Sequence, residues 1–188
     1  MSADPYLYAG TAVLKNKLGI RNQGEFDAME RQIVLQRSRQ RLPTGRFDLD
    51  HLKAIHRHLF QDVYDWAGQI RTVEIAKGGS QFQFRQYIRM GMADICRRLE
   101  EADFLGNLEP KNFAQQAGHI MGDVNYVHPF REGNGRTQMI YLEQLAGQAG
   151  HAIDLTRITP KRWITASRNA HAGDYNPMSA EILKALSQ

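Results

Sequence analysis

His128-Pro129-Phe130-Arg131-Glu132-Gly133-Asn134-Gly135-Arg136-Thr137 lies between two apolar-periodic runs, one ending at Val127 and the other reaching from Met139 to Ala149. Pro129 and the two glycines turn the chain between them, so the stretch reads as helix, loop, helix. Gly133 and Gly135 let the backbone approach a ligand closely. A helix opening there points free N–H groups and its positive dipole end into the loop, which makes an anion site. A phosphate suits it. Glu132 beside the site can hold Mg²⁺, which binds through one or two carboxylates plus substrate phosphates, while Asn134 and Arg136 add donors. His128, with an ordinary pKa of about 6.5, can accept a proton at neutral pH. Base, metal carboxylate and phosphate cradle together point to transfer of part of a nucleotide onto a hydroxyl. The bland alternative is a turn and a helix cap with exposed charges. Contiguity decides between them, because all three groups would face one cleft. No Gly-x-x-x-x-Gly-Lys-Ser/Thr loop occurs, which excludes a P-loop kinase.

Outward from this stretch, Pro110 suits a first helical position, and Phe113, Ala117, Ile120, Met121 and Val124 carry a helix into His128. Ile88, Met92, Ile95 and Leu99 predict another, ending near Gly106. Between Gln69 and Phe84 the pattern changes. Ile70, Val73 and Ile75 precede Gly78-Gly79-Ser80, and Phe82 and Phe84 alternate after it, which reads as a β-hairpin. Asp48 is a predicted N-cap for a helix whose apolar face runs from Leu49 to Val63, and Phe26, Met29, Ile33 and Val34 mark one from Glu25 to Arg41. Val13, Leu14 and Leu18 suggest a short helix packed on the body. Thr159-Pro160 and Asn176-Pro177 each read as a cap and first-turn proline, opening two last helices around Trp163 and Ile182. The expected fold is mainly α, one domain over 1–188. Residues 1–47 form an N-terminal helical extension on a core of 48–188 that carries the hairpin at 69–84.

The 188 residues, 42% hydrophobic and 23% charged, suffice for one packed core. A net charge of +4 is mildly basic. Arg31, Arg37, Arg39, Arg41 and Arg46 read as a solvated helix face or protein-docking patch rather than a nucleic-acid interface. No leader pattern opens the sequence and no run is long enough to span a bilayer. The lone Cys96, on an apolar helix face, reads as a buried inert thiol in a reducing compartment. The expected location is cytoplasmic, with secretion into another cell left open. His51, His56 and His58 lack ligand partners at metal spacing and read as surface and core-edge histidines.

From His128 through Arg136 the sequence resembles the Fic family signature, H-P-F-x-D/E-G-N-G-R-x-x-R. Asp4-Pro5-Tyr6, the stretch from Ile55-His56 to Trp66-Ala67-Gly68, that from Gln69 to Tyr87, and Gly173-Asp174 also resemble the short bacterial Fic toxins. The resemblance implies a Fic-like helical core with a β-hairpin flap by the active site. It implies AMPylation, the movement of AMP from ATP to a protein hydroxyl with loss of pyrophosphate. His128 is then the catalytic base and Glu132 the Mg²⁺ ligand. Phe130, Arg131, Gly133, Asn134, Gly135 and Arg136 are the nucleotide and phosphate contacts. Lys77, Gly78, Gly79, Ser80, Gln81 and Phe82 form the tip of the target-docking flap. The implied partners are a target protein, with the topoisomerase subunits GyrB and ParE the first to try, and a small helical antitoxin. That antitoxin would act in trans, since no inhibitory Ser/Thr-x-x-x-Glu-Gly/Asn helix occurs in the chain. Asn169, Asp174 and Tyr175 are either pocket residues or ordinary helix ends. One position departs: Met139 stands where the signature has its second arginine, the family's terminal-phosphate contact. Two alternatives follow from it, a different nucleotide or phosphate-bearing donor, or a degenerate module that binds nucleotide or docks partners without turnover.

Overall fold

In the computed structural model, residues 4–186 are described. Residues 1–3, on which part of the expectation of no leader falls, and residues 187–188 lie outside that range. Helix α4 (Pro110–Val127) is the central post, with Pro110 at its start, where a missing N–H costs no hydrogen bond. Its Phe113, Ala117, Met121 and Val124 are fully buried. Around it pack α3 (Ile88–Glu101), α5 (Asn134–Gln148), α6 (Pro160–His171) and α7 (Asn176–Ala185). Ile88, Met92, Ile95 and Leu99 form the buried stripe of α3, as their spacing predicts. Helix α2 (Leu49–Phe60) lies against α5, and α1 (Gln23–Ser38) against α2. The Asp48 carboxylate accepts the His51 N–H at 2.8 Å and so caps α2. Thr159 caps α6, its hydroxyl accepting from the Arg162 N–H at 3.4 Å.

The hairpin is short. β1 (Ala76–Lys77) pairs antiparallel with β2 (Ser80–Gln81), Ala76 opposite Gln81 and Lys77 opposite Ser80. Gly78 and Gly79 sit at φ 60° and 82°, the pair of left-handed residues that a two-residue turn of this hand requires.

The N-terminal segment differs from expectation. Residues 13–18 form no helix; Leu7 and Leu14 meet in an isolated antiparallel bridge instead. Asn16 explains this, since its side-chain amide donates to the Leu14 and Ile20 carbonyls and its oxygen accepts the Ile20 N–H. Those are the backbone groups that a helix would have used. Among the described residues no helix is long and apolar enough to cross a membrane. Cys96 is half-buried rather than buried, and burial raises its pKa, which disfavours the reactive thiolate. Arg37 and Arg46 of the basic cluster pair with Asp62 and Glu100.

Candidate active site

His128 caps α4 in the left-handed region, φ 45° and ψ 62°, its own N–H reaching back to the Val124 carbonyl at 3.2 Å. Its Nδ1 lies 3.0 Å from the Asn125 carbonyl. A carbonyl only accepts, so Nδ1 carries the proton and Nε2 keeps its lone pair. The Phe82 ring stacks on the imidazole at 3.8 Å and 17°. Burial pulls the His128 pKa down to about 4, helped by the Arg71 and Lys77 charges and opposed by the Asn125 hydrogen bond. At neutral pH it is an uncharged base.

The loop after it is built by packing. Gly133 has φ 83°, and a Cβ there would meet the Phe60 ring at 2.5 Å and His56 Nε2 at 3.1 Å, whereas Gly135 has open space around it. The first glycine therefore lets α2 approach and the second faces the cleft. Asn134 is buried, its side chain closing a ring on Phe130: Oδ1 accepts the Phe130 N–H at 3.0 Å and Nδ2 donates to the Phe130 carbonyl at 2.8 Å. It shapes the loop with the amide expected on phosphate. The N–H groups of Asn134, Gly135 and Arg136 have no acceptor among the described residues, as the first turn of a helix leaves them.

Arg136 is clamped from behind. Its Nη1 and Nη2 each lie 3.1 Å from a Glu30 carboxylate oxygen, and its guanidinium sits 4.7 Å over the Phe60 ring. The Tyr64 hydroxyl donates to the same Glu30 at 2.7 Å. Glu132 is half-exposed; Oε1 accepts the Gly133 N–H at 2.8 Å and stands 3.6 Å from Arg136. The other oxygen has no partner among the described residues and could bind a cation. One carboxylate beside a phosphate cradle is a donor set that suits Mg²⁺.

The cleft in front encloses about 480 Å³, a volume that suits a nucleotide. Met139, Ile158, Pro160, Trp163 and Ile164 give the cleft an apolar lining. Gln138, also on the lining, has both amide atoms buried without a partner, as has the Trp163 indole N–H. Unpaired buried polar groups are costly, so a base or sugar edge that met them would be favoured. Lys77, Gly78, Ser80 and Phe82 of the hairpin also line it, with Arg168 and His171 of α6. Lys77 and Arg168 have no ion-pair partner among the described residues.

Several expected contacts fall elsewhere. Phe130 is fully buried, stacked on His56 at 3.9 Å, so it braces the loop from inside. Arg131 turns away to Asp4, with Nη2 2.8 Å from the carboxylate. Gly79 and Gln81 do not line the cleft; the Gln81 amide donates to the Ile75 and Phe82 carbonyls. Asn169, Asp174 and Tyr175 are helix-end residues: the Asp174 carboxylate accepts the Asn176 N–H and the Tyr175 hydroxyl donates to Asp123. His51 accepts the Phe47 N–H, while His58 donates to the Arg37 carbonyl. His56 accepts the Gly68 N–H at 2.8 Å and donates to the Glu132 carbonyl at 3.0 Å. Glu30, Tyr64, Gln138 and Arg71 escaped the sequence reading, and only Gln138 lay close enough to the motif to be suspected.

Fold and cleft define a class of protein: a helical domain that offers a neutral histidine and a helix N-terminus to a nucleotide-sized cleft beneath a β-hairpin. A family profile, "Fic/DOC family", matches residues 46–146, and the chain belongs to that family. A protein of Sinorhizobium fredii named "Probable protein adenylyltransferase y4lH" is 40% identical over 184 residues, covering 97% of this chain and 96% of its own. "Probable protein adenylyltransferase Fic" of Salmonella typhimurium is 37% identical, covering 98% and 93%. The crystal structure of the effector BepC from Bartonella tribocorum, with bound AMPPNP, is similar at a TM-score of 0.90 and 28% identity, over 97% of this chain and 96% of that one.

Proposed function

We propose that the protein is an adenylyltransferase that moves AMP from ATP to a hydroxyl side chain of a target protein. The observation that carries this is the His128 tautomer: Nδ1–H is fixed on the Asn125 carbonyl, which leaves Nε2 as proton acceptor at the cleft that the α5 N-terminus faces. The unpaired N–H groups of Asn134, Gly135 and Arg136 hold phosphate oxygens, and the Arg136 charge stands behind them. Nucleoside packs on the wall of Met139, Ile158 and Trp163. The target hydroxyl attacks the α-phosphorus as its proton passes to His128 Nε2; the bond to the β-phosphate oxygen breaks and pyrophosphate leaves. Mg²⁺, held on Glu132, supplies charge neutralisation on the phosphates when bound. The exposed hairpin edge at Lys77 to Gln81 holds an extended target segment by strand addition, which reads little sequence, while Phe82, expected at the same tip, is buried against the His128 ring. The partners then are a target protein, for which GyrB and ParE are the first to test, and a small helical antitoxin of a toxin pair.

A second reading, transfer from another phosphate-bearing donor, has one observation in its favour. Met139 lines the cleft with a thioether at the position three residues after Arg136. Incubation with Mg²⁺, a bacterial lysate and ATP labelled at either the α- or the γ-phosphate separates the two. Protein labelling from the α position only, lost in His128→Ala, is the expected result. No label from ATP in the parent, with transfer restored by Met139→Arg, would hand the site to the second reading.

A further inference from the structure

Arg71 is the most heavily bonded buried cation in the described structure, and beyond the effect of its charge on His128 it has no part in the chemistry above. Its side chain has no exposed surface. Nε donates to the His128 carbonyl at 2.9 Å, Nη1 to the Val73 carbonyl at 2.7 Å and to the Glu74 carboxylate at 3.2 Å, and Nη2 to the Gln83 carbonyl. Its backbone N–H adds a bond to the Pro129 carbonyl at 2.9 Å. The two peptide carbonyls after Cα of His128 are therefore both held by one residue. The other two carbonyls belong to opposite limbs of the hairpin, Val73 just before β1 and Gln83 just after β2.

This arrangement answers two mechanical needs. His128 occupies a left-handed conformation that is sparse for residues other than glycine and persists only where its surroundings over-determine it. The hairpin pairs just two residues with two, too few to hold its own position. Phe82, next to Gln83, lies on the His128 ring, so the hairpin limb and the imidazole are already in contact. A planar fork with five donors reaches three carbonyls in different directions, which the single ammonium of lysine cannot do.

We propose that Arg71 is a positioning residue that fixes the register between the target-docking hairpin and the His128 ring. A peptide seated on the hairpin is thereby presented to Nε2 at reacting distance. The role rests on the adenylyl-transfer reading of the site. It does not concern nucleotide binding, since Arg71 does not line the cleft. Glu74 belongs to the same device: its carboxylate accepts from Arg71 and from the Arg85 N–H at 3.0 Å, closing the base of the hairpin.

The test compares the parent chain with Arg71→Lys and Arg71→Ala, each confirmed as folded by circular dichroism. Three quantities are read: AMPPNP affinity, transfer of α-labelled AMP to lysate proteins, and amide hydrogen exchange of residues 73–83. Transfer should fall by about 100-fold, the loss expected from a misplacement on the order of 1 Å. AMPPNP affinity should stay within about threefold of the parent, and exchange at 73–83 should rise. Millimolar guanidinium should restore part of the transfer in Arg71→Ala and none in Arg71→Lys, where the ammonium fills the space. Parental transfer in both variants would overturn the proposal, as would equal loss of AMPPNP binding and transfer. If the parent itself transfers no AMP, the reading of function fails separately. Exchange at 73–83 and the His128 ring signals in Arg71→Ala then decide the positioning role: both must change for it to stand.

Discussion

Two histidines stand on opposite sides of the phosphate loop, and the difference between their surroundings separates architecture from chemistry. His56, behind the loop, and His128, at its mouth, are both pushed by burial to a pKa of about 4. Both stack on a phenylalanine, His56 on Phe130 and His128 on Phe82. Their tautomers are opposite. His56 accepts at Nδ1 and donates at Nε2, so neither nitrogen is left over, and it ties α2 to the Glu132 carbonyl and the Gly68 amide. His128 has one nitrogen fixed on a backbone carbonyl and the other open. An identical side chain at an almost identical pKa is thus a bolt in one place and, in the chemistry proposed, a base in the other, and hydrogen-bond count makes the distinction.

The largest effect that tests this contrast is His128→Ala. Adenylyl transfer should fall by about 10²–10⁴-fold, the usual worth of a general base, while AMPPNP affinity stays near the parental value. Transfer near the parental rate would remove the base assignment. His56→Ala should do the reverse in kind, lowering unfolding free energy by about 2–4 kcal/mol, since it leaves a cavity and two unpaired backbone groups. A denaturant titration measures it, and an unchanged midpoint would show that the tie is ornamental. Gly133→Ala strikes the same place by sterics. The added methyl would have to displace Phe60 and His56, so stability should fall and phosphate affinity with it, whereas Gly135→Ala, in open space, should leave stability within about 1 kcal/mol.

The pH dependence sharpens the comparison further. Both imidazoles bind protons more readily in the unfolded chain than in the folded one. Unfolding free energy should therefore be full above pH 6.5, the ordinary histidine value, and should decline as pH falls toward 4. The acidic limb of kcat/KM, which reports the free enzyme, should break near pH 4 rather than at 6.5. Removing His56 should leave that break in place. The smallest expected effect is at the hairpin tip. Gly79→Ala forces a methyl-bearing residue to φ 82° in open space, a local cost of about 1 kcal/mol that should alter target labelling less than twofold.

Much of this molecule was legible because its information is local. Periodicity of three and four residues placed α1 to α5, Thr159-Pro160 opened α6, Asp48 announced the cap of α2, and Gly78-Gly79 announced the hairpin turn. The motif contains its own loop, base and carboxylate. What stayed hidden is what the loop leans on. Nothing within 100 residues of Arg136 hints that Glu30 will clamp it, and no pattern in the sequence sets Arg71 apart from the other arginines. Phe130 and Arg131, contacts that the resemblance implied, fall elsewhere for the same reason: their side chains leave the loop in different directions, to His56 inside and to Asp4. Asn16 withheld a helix that the apolar spacing suggested, since a side-chain amide that satisfies local backbone is invisible to hydrophobic periodicity.

The clamp on Arg136 also has a consequence in time. Glu30 and Arg136 are separated by 106 residues, and Asp4 and Arg131 by 127. Contacts that close loops of this size bear a greater entropy cost than those within a helix and tend to form after local structure is present. During synthesis α1 leaves the ribosome long before its partner arginine is made, and the cleft wall of α6 comes later still. The motif itself is made only in the last third of the chain, after α1 to α4, so competence arrives late in folding.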